Sequence, residues 1–268
     1  MNIQPIHPLL FFCKMLISSP LTTLRQARKL PAYISDLKTL SLQQQQSSIP
    51  FALGKPYPCL KDKKAQSGIA RGHYFHTDLY IAQCINQNKP ETHIDVGSRI
   101  DGFVAHVASF RKIHVIDIRP LKNTISNIEF IQTDIMSPVP EELHNSCDSL
   151  SCLHALEHFG LGRYGDPVMY DGYLEGFHNM THILKPGGKL YLAVPIGPQR
   201  IEFNAHRVFS VKYLLSMIEI HYTVEQFSFV DDSGQLHRDT ALDEKKIKEN
   251  YGCWYGCGIF EIKKTSTH

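Results

Sequence analysis

From Gly72 to Lys264 apolar and polar residues follow two rhythms, one of helical and one of strand period. Leu79, Ile81, Ala82 and Ile85 recur at helical spacing within 76–87, a helix that must end before Pro90. A short apolar strand follows at 92–96, then a helix over 101–109. Further apolar runs bounded by turn residues predict strands at 112–118, 128–132, 146–153 and 189–194. Between the last two, 168–184 reads as helix, stopped by Lys185-Pro186-Gly187-Gly188. After Ser210 the pattern gives a helix to about Glu219, a strand over 223–230, a polar excursion through 232–250 and a last strand over 258–264.

Strands alternating with helices imply an α/β fold, a doubly wound parallel sheet. Its end differs, because the last two strands are joined without a helical crossover. The final strand is therefore expected to run antiparallel beside the sixth.

The first fifty residues have another texture. The apolar run 9–17 is interrupted by Lys14 and is too short to span a bilayer, which takes about 20 residues, and no small-residue cleavage site follows it. The stretch 21–40 has partly helical spacing (Leu24, Ala27, Leu30, Ile34, Leu37) that Pro31 is expected to break. It is read as helix docked on the main domain, with a membrane-surface segment carrying Arg25, Arg28 and Lys29 as the other reading. The glutamine-rich stretch 43–48 reads as a polar linker. The chain is thus divided into a helical extension and linker, 1–50, and one domain, 51–268.

Composition narrows the class. The chain has 268 residues, 43% hydrophobic and 20% charged, enough for a substantial core. A formal charge of +2 provides no field for nucleic acid. Seven cysteines, an odd number without a C-x-x-C pair, argue against a full disulfide framework and for a reducing, cytoplasmic setting. Cys253 and Cys257 read as two thiols beside a strand rather than a metal half-site lacking its other half.

The segment 93–103, H-I-D-V-G-S-R-I-D-G-F, is the centre of the chemistry. A strand ends in Asp95 and Gly97 and a helix follows, the layout that brings a backbone turn to a nucleotide. With V-I-D at 115–117, Q-T-D at 132–134, L-H-A-L-E-H at 153–158 and L-K-P-G-G-K-L-Y-L at 184–192, the chain resembles the class I S-adenosylmethionine-dependent methyltransferases. Within them it resembles a small family of unknown function, through G-H-Y-F-H-T-D-L at 72–79, G-L-G-R-Y-G-D at 160–166 and F-N-A-H-R-V-F at 203–209. The resemblance covers 72–209 and implies a Rossmann-like, seven-stranded, mostly parallel sheet with an antiparallel last strand.

It also implies S-adenosylmethionine as cofactor and assigns residues to it. Asp95, Gly97, Ser98 and Arg99 belong to the first turn, Asp117 faces the ribose hydroxyls, Asp134 faces the adenine amine, and Glu157 follows the fourth strand. The usual D-x-G-x-G-x-G is altered to D-V-G-S-R-I-D-G, so Arg99 is read either as a partner of the cofactor carboxylate or as a surface residue of the loop. An altered loop also leaves open a non-catalytic nucleotide-binding or regulatory module on the same fold. For the base that takes the acceptor proton the order is His158, His154, His206. A divalent ion held by His154, Glu157, His158 and His206 is the alternative to metal-free transfer, which is preferred. Arg163 and Arg207 are candidates for an anionic acceptor, and His73, Tyr74 and His76 for a lid. The acceptor expected is a small polar molecule, such as a sugar or glycan precursor.

Overall fold

The structure is a computed structural model that describes residues 26–49 and 51–266. The apolar run 9–17 and the start of the 21–40 stretch lie outside the described residues. Two compact units part between Ile69 and Ala70.

In the first unit, α1 (Leu30–Gln46) begins at the very place where Pro31 is expected to break a helix. Proline lacks only an N–H that the first helical turn leaves unbonded anyway, so it starts a helix as readily as it stops one. The glutamines expected as linker continue α1 through Gln46, in keeping with their good helix propensity, and the chain turns extended only at Ser47. An irregular path with a 3-10 turn at Asp62–Lys64 completes this unit.

The second unit is the sheet. Helix α2 (His73–Asn88) starts a turn earlier than its apolar spacing indicates and buries Thr77, Tyr80, Ile81, Cys84 and Ile85 along one face. It leads into β1 (His93–Val96), and a π-type turn, Ile100–Val104, kinked at Gly102, opens α3 (Ala105–Ala108). Then come β2 (Ile113–Asp117), β3 (Ile128–Gln132) and β4 (Cys147–Leu153). Helix α4 (Gly172–Ile183) starts later than the expected 168, because residues 168–170 take an exposed irregular path after Asp166-Pro167.

The next strand, β5 (Leu184–Ile196), includes the Lys-Pro-Gly-Gly segment whose composition predicts a separating turn. Leu184 already pairs with Cys147, and the register then jumps so that Lys189 faces Ser149. The turn chemistry is present, with Gly187 at φ 75°, but it makes a bulge in the ladder rather than a boundary. A small hairpin of β6 (Arg200–Glu202) and β7 (His206–Val208) follows, then α5 (Val211–Ile218), capped by Ser210. The chain ends with β8 (Tyr222–Val230), the short β9 (Leu236–His237) and α6 (Glu244–Lys248) inside the polar excursion, and β10 (Gly256–Lys264).

The strand order is β3-β2-β1-β4-β5-β10-β8-β9. The first five are parallel, and β10 runs antiparallel to both β5 and β8, between which it is inserted. The expected seven strands and antiparallel ending are present, with β9 added at the edge. Each face of the sheet carries its own apolar layer. Helices α2 and α3 and the turn that opens α3 pack through Ile81, Ile85, Val107 and Phe103 against Val115, Ala193 and Ile259. Helices α4 and α5 pack through Phe177, Met180, Leu214 and Ile218 against Leu150, Leu192 and Phe260.

The loop from β4 to α4 is locked by Gly160, whose φ is 75° and where an added Cβ would lie 2.0 Å from the Met169 carbonyl oxygen. Gly165 has a similar backbone, φ 87°, with open space around it. Gly160→Ala should therefore lower unfolding free energy by about 3 kcal/mol, against roughly 1 kcal/mol for Gly165→Ala. Urea denaturation of both variants checks the difference, and equal losses would contradict the close approach.

Candidate functional site

The strand order reverses between β1 and β4, and a cleft opens at the carboxyl ends of these strands, as open α/β sheets require. Its volume is about 840 Å³ including its mouth, and its wall takes in Gly97, Arg99, Asp117, Asp134, His154 and His158. Apolar faces come from Ile116, Ile118, Ile135 and Met136.

Beneath the first turn lies a buried polar chain. The Asp95 carboxylate accepts hydrogen bonds from Ser98 N (3.0 Å), Ser98 Oγ (2.7 Å) and Ser151 Oγ (2.6 Å). The His93 ring continues the chain, 3.1 Å from Ser151 Oγ and 2.8 Å from Ser149 Oγ. Asp95 is completely buried, so its side chain clasps the turn from below while the Gly97 backbone meets the cleft. Gly97 has φ 76°, and a Cβ there would sit 2.7 Å from the Ala155 Cβ, a position only glycine fills without displacement.

Arg99 lines the cleft but turns to Asp101 in a bidentate pair at 3.0 and 2.8 Å, both side chains mostly exposed. The two residues that displace the usual glycines thus satisfy each other at the surface. At the end of β2, Asp117 is held bidentately by Arg119, at 3.0 Å from Nε and 2.6 Å from the terminal nitrogen. The Arg119 guanidinium lies 4.5 Å from the Tyr164 ring centroid, and Arg163 packs against the same ring at 5.1 Å. Tyr164 also meets the His158 ring edge-on. The glycine-flanked loop over 160–166 thereby lies across the Asp117 end of the cleft. Asp134 accepts from Met136 N at 2.9 Å and faces the same space.

The opposite wall is built from histidines. His154, directly after β4, has φ 55°, a conformation that costs a non-glycine residue free energy and that packing must enforce. Its Nδ1 lies 3.4 Å from Glu157 Oε1 and its Nε2 3.5 Å from Cys257 Sγ. Burial pulls its pKa down, but Cys257 and Glu157 outweigh that and hold it well above the ordinary histidine value. Burial raises the Glu157 carboxyl, and the neighbouring His154 and His158 overcome this, leaving it below its usual range. The His73 ring stacks on His154 with centroids 5.6 Å apart, and burial first, then His154, lowers its pKa to about 4. Tyr74 packs on His154 from the cleft side.

His158 has Nδ1 2.7 Å from the Ala205 carbonyl oxygen, which directs Nε2 elsewhere, with Glu157 Oε1 at 3.8 Å. Burial lowers its pKa. His206 is outside the cleft wall, on β7, where it packs against Tyr255 and lies 3.2 Å from Glu202. His154, Glu157, His158 and His206 do not converge on one point. Among the described residues, the cluster whose donor atoms do converge is His73, His154 and Cys257, all within 4.8 Å of one another. Arg207 is buried, with NH1 donating to Phe159 O at 2.6 Å and NH2 to Tyr170 O at 2.8 Å, over the Tyr173 ring. Its donors tie the loop down, so it does not reach an acceptor in the cleft.

Asp78 and Arg119 line the cleft although the sequence motifs assign neither a role. Asp78 projects from α2 beside Tyr74, one turn along, and burial raises its carboxyl to about 6. Arg119 follows the second-strand aspartate by two residues. The i, i+4 pairing of Tyr74 with Asp78 on one helix face was the available signal for the first; nothing local marked the second.

Burial raises the Asp95 carboxyl from 3.8 to about 7 despite its three hydrogen bonds. The folded state then binds this proton more tightly than the unfolded one, so the wild-type chain loses stability as pH rises from about 4 to 7. Relative to Asp95→Asn the loss should be of the order of 4 kcal/mol across that window. Denaturation of both proteins at pH 4, 5.5 and 7.5 measures it, and a pH-independent difference would refute the assignment.

The same fold occurs in known proteins. A solved structure of the Burkholderia thailandensis 1,6-didemethyltoxoflavin-N1-methyltransferase, with bound 1,6-didemethyltoxoflavin and S-adenosylhomocysteine, superposes with a TM-score of 0.51. It is 14% identical, over 70% of this chain and 78% of that one. A putative sarcosine dimethylglycine methyltransferase from Galdieria sulphuraria gives 0.49 at 14% identity, over 72% and 85% of the two chains. The N-methyltransferase NodS of Bradyrhizobium japonicum WM9, in complex with S-adenosylhomocysteine, gives 0.47 at 14% identity, over 72% and 88%. No curated protein matches the sequence. The fold is that of the class I S-adenosylmethionine-dependent methyltransferases. The family described as "Caenorhabditis protein of unknown function, DUF268" matches residues 105–252. That match spans more than half of the chain, and the protein belongs to this family.

Proposed function

We propose that the protein is an S-adenosylmethionine-dependent methyltransferase acting on a small polar acceptor, with His158 as general base. The observation that carries this reading is the cleft itself. It has two strand-end carboxylates, Asp117 and Asp134, on one side and a neutral imidazole, His158, on the other. The glycine-only turn at Gly97, on the cleft wall, provides the close backbone approach that such a cofactor needs. Apolar Ile135 and Met136 suit an adenine face, and the carboxylates suit ribose hydroxyls and an exocyclic amine.

The cofactor, when bound, supplies an electrophilic methyl group on a sulfonium. The chain's part is to align the acceptor and remove its proton. His158 is suited to proton removal, because Nδ1 donates to Ala205 O and so fixes the tautomer that leaves the Nε2 lone pair free. Its lowered pKa keeps it neutral near pH 7. His154 is committed to Glu157 and Cys257, and His206 stands apart, so neither competes for the role. A small polar acceptor, such as a sugar or glycan precursor, suits a cleft rimmed by Arg163, Tyr164 and Asp166.

One contact favours the second reading, a nucleotide-binding or regulatory module without catalysis. Arg119 occupies the Asp117 carboxylate that a ribose would use. Calorimetry with S-adenosylmethionine and S-adenosylhomocysteine tests both. Binding with Asp117→Ala weaker by about 2 kcal/mol, roughly 30-fold, is expected. Arg119→Ala should bind about fivefold tighter, because a half-exposed competing pair worth ~1 kcal/mol is removed. Failure of either ligand to bind at millimolar concentration would sink the enzyme reading.

Once an acceptor is found by screening, His158→Gln should lower kcat by about 100-fold or more while cofactor affinity stays unchanged. The wild-type rate should rise with pH through a value below the ordinary histidine pKa and then level off, because burial lowers His158 against the opposing pull of Glu157, with Arg163 and His206 adding to the lowering. A rate insensitive to His158→Gln would remove it as the base.

A further inference from the structure

The His73–His154–Cys257 cluster plays no part in the proposed methyl transfer, and it does not depend on cofactor binding. Its residues come from the first turn of α2, the end of β4 and the start of β10. The sheet brings them together across 103 residues between His154 and Cys257. We propose that His73, His154 and Cys257 form a binding site for one divalent transition-metal ion of the zinc type.

Four observations support it. First, the donors are two imidazoles and one sulfur, the mixed N/S set that zinc favours over hard cations, and all lie within 4.8 Å of one another. Second, the spacing fits: bonds of about 2.0–2.1 Å to nitrogen and 2.3 Å to sulfur put the two donors of a tetrahedral ion about 3.6 Å apart. His154 Nε2 and Cys257 Sγ are 3.5 Å apart. The His73 side chain, half-buried at the helix start, brings its donor within 4.8 Å of both.

Third, the His154 imidazole has an outer partner that orients it. Glu157 Oε1 faces His154 Nδ1 on the ring side opposite Cys257, the carboxylate–histidine arrangement that aims Nε2 at a metal. The Tyr255 ring packs beside His73, with centroids 5.5 Å apart. Fourth, Glu157 is 2% exposed and its Oε2 has no hydrogen-bond partner, so a buried carboxylate stands behind His154 with one oxygen unpaired. One thiolate, one carboxylate and two neutral imidazoles sum with a divalent ion to zero. Binding releases the thiol proton and any imidazole proton to solvent.

Three protein ligands leave a fourth position open, the pattern of a reactive rather than a closed structural site. His154 is also part of the cleft wall, so the ion would sit at the boundary between that wall and the core.

The test uses the full chain, stripped with a chelator and dialysed against Zn²⁺ or Co²⁺. We expect one ion per chain and, with Co²⁺, a thiolate-to-metal charge-transfer band. Cys257→Ser should abolish the band and His73→Ala should abolish stoichiometric binding, both with the circular dichroism of the parent. Glu157→Gln should weaken Zn²⁺ by about tenfold or more. Cys253→Ser should leave binding intact, which separates this site from a generic thiol. A folded wild-type chain that takes up neither ion in molar excess would overturn the proposal, as would a band that survives Cys257→Ser.

Discussion

The insertion of β10 between β5 and β8 is the constraint on which most of the molecule depends. A strand in that place is buried on both faces and must satisfy every polar group it brings in. Glu261 accepts from Tyr80 OH at 3.1 Å and Cys84 Sγ at 3.4 Å, both on α2. Lys264 donates from Nζ to the carbonyls of Thr181 and Leu184 at 2.7 and 2.6 Å, where α4 gives way to β5. Cys257, at the other end of the strand, meets His154. One strand therefore ties both helical layers to the sheet and the last residues of the chain to the wall of the cleft.

The cleft follows from a second constraint, the support of its first turn from below. Asp95 is held in a fully buried network with Ser98, Ser151 and His93, at an energetic cost that its raised pKa reports. A carboxylate so placed holds the turn rather than meeting a ligand, which leaves ligand contact to the Gly97 backbone. The altered glycine loop has a plain explanation in the same geometry. Arg99 and Asp101 neutralise one another at the surface and leave the backbone path of the turn unobstructed.

On the far wall, His154 is the point where the two halves of the site meet. Its left-handed backbone turns the ring away from the strand axis, toward Cys257 on one side and Glu157 on the other. That orientation ties it to the core and leaves His158, tethered to Ala205 O, facing the cleft. Neighbouring histidines in one motif thus acquire different chemistry from their second partners. Tyr164, held between Arg119 and Arg163, links the histidine wall to the Asp117 end, so the two sides of the cleft are coupled through one aromatic ring.

The strands β1 to β4, the parallel order and the antiparallel ending were legible in the sequence, because hydrophobic period and turn residues are local signals. The cleft-facing positions of Gly97, Asp117 and Asp134 were legible for the same reason, since each sits at a strand end. Local rules misplaced Pro31 and the Lys-Pro-Gly-Gly bulge, where one residue type serves two structures and the neighbours decide. Along the chain Cys257 reads as a bare thiol, Arg207 as a free cation and Asp117 as an open carboxylate. Their partners, His73 and His154, the carbonyls of Phe159 and Tyr170, and Arg119, come into place through packing. By itself the sequence determined the seven main strands of the sheet and their succession along the chain. Only the tertiary structure decided which side chains pair, because the order of strands in the sheet, and not distance along the chain, sets what each side chain touches.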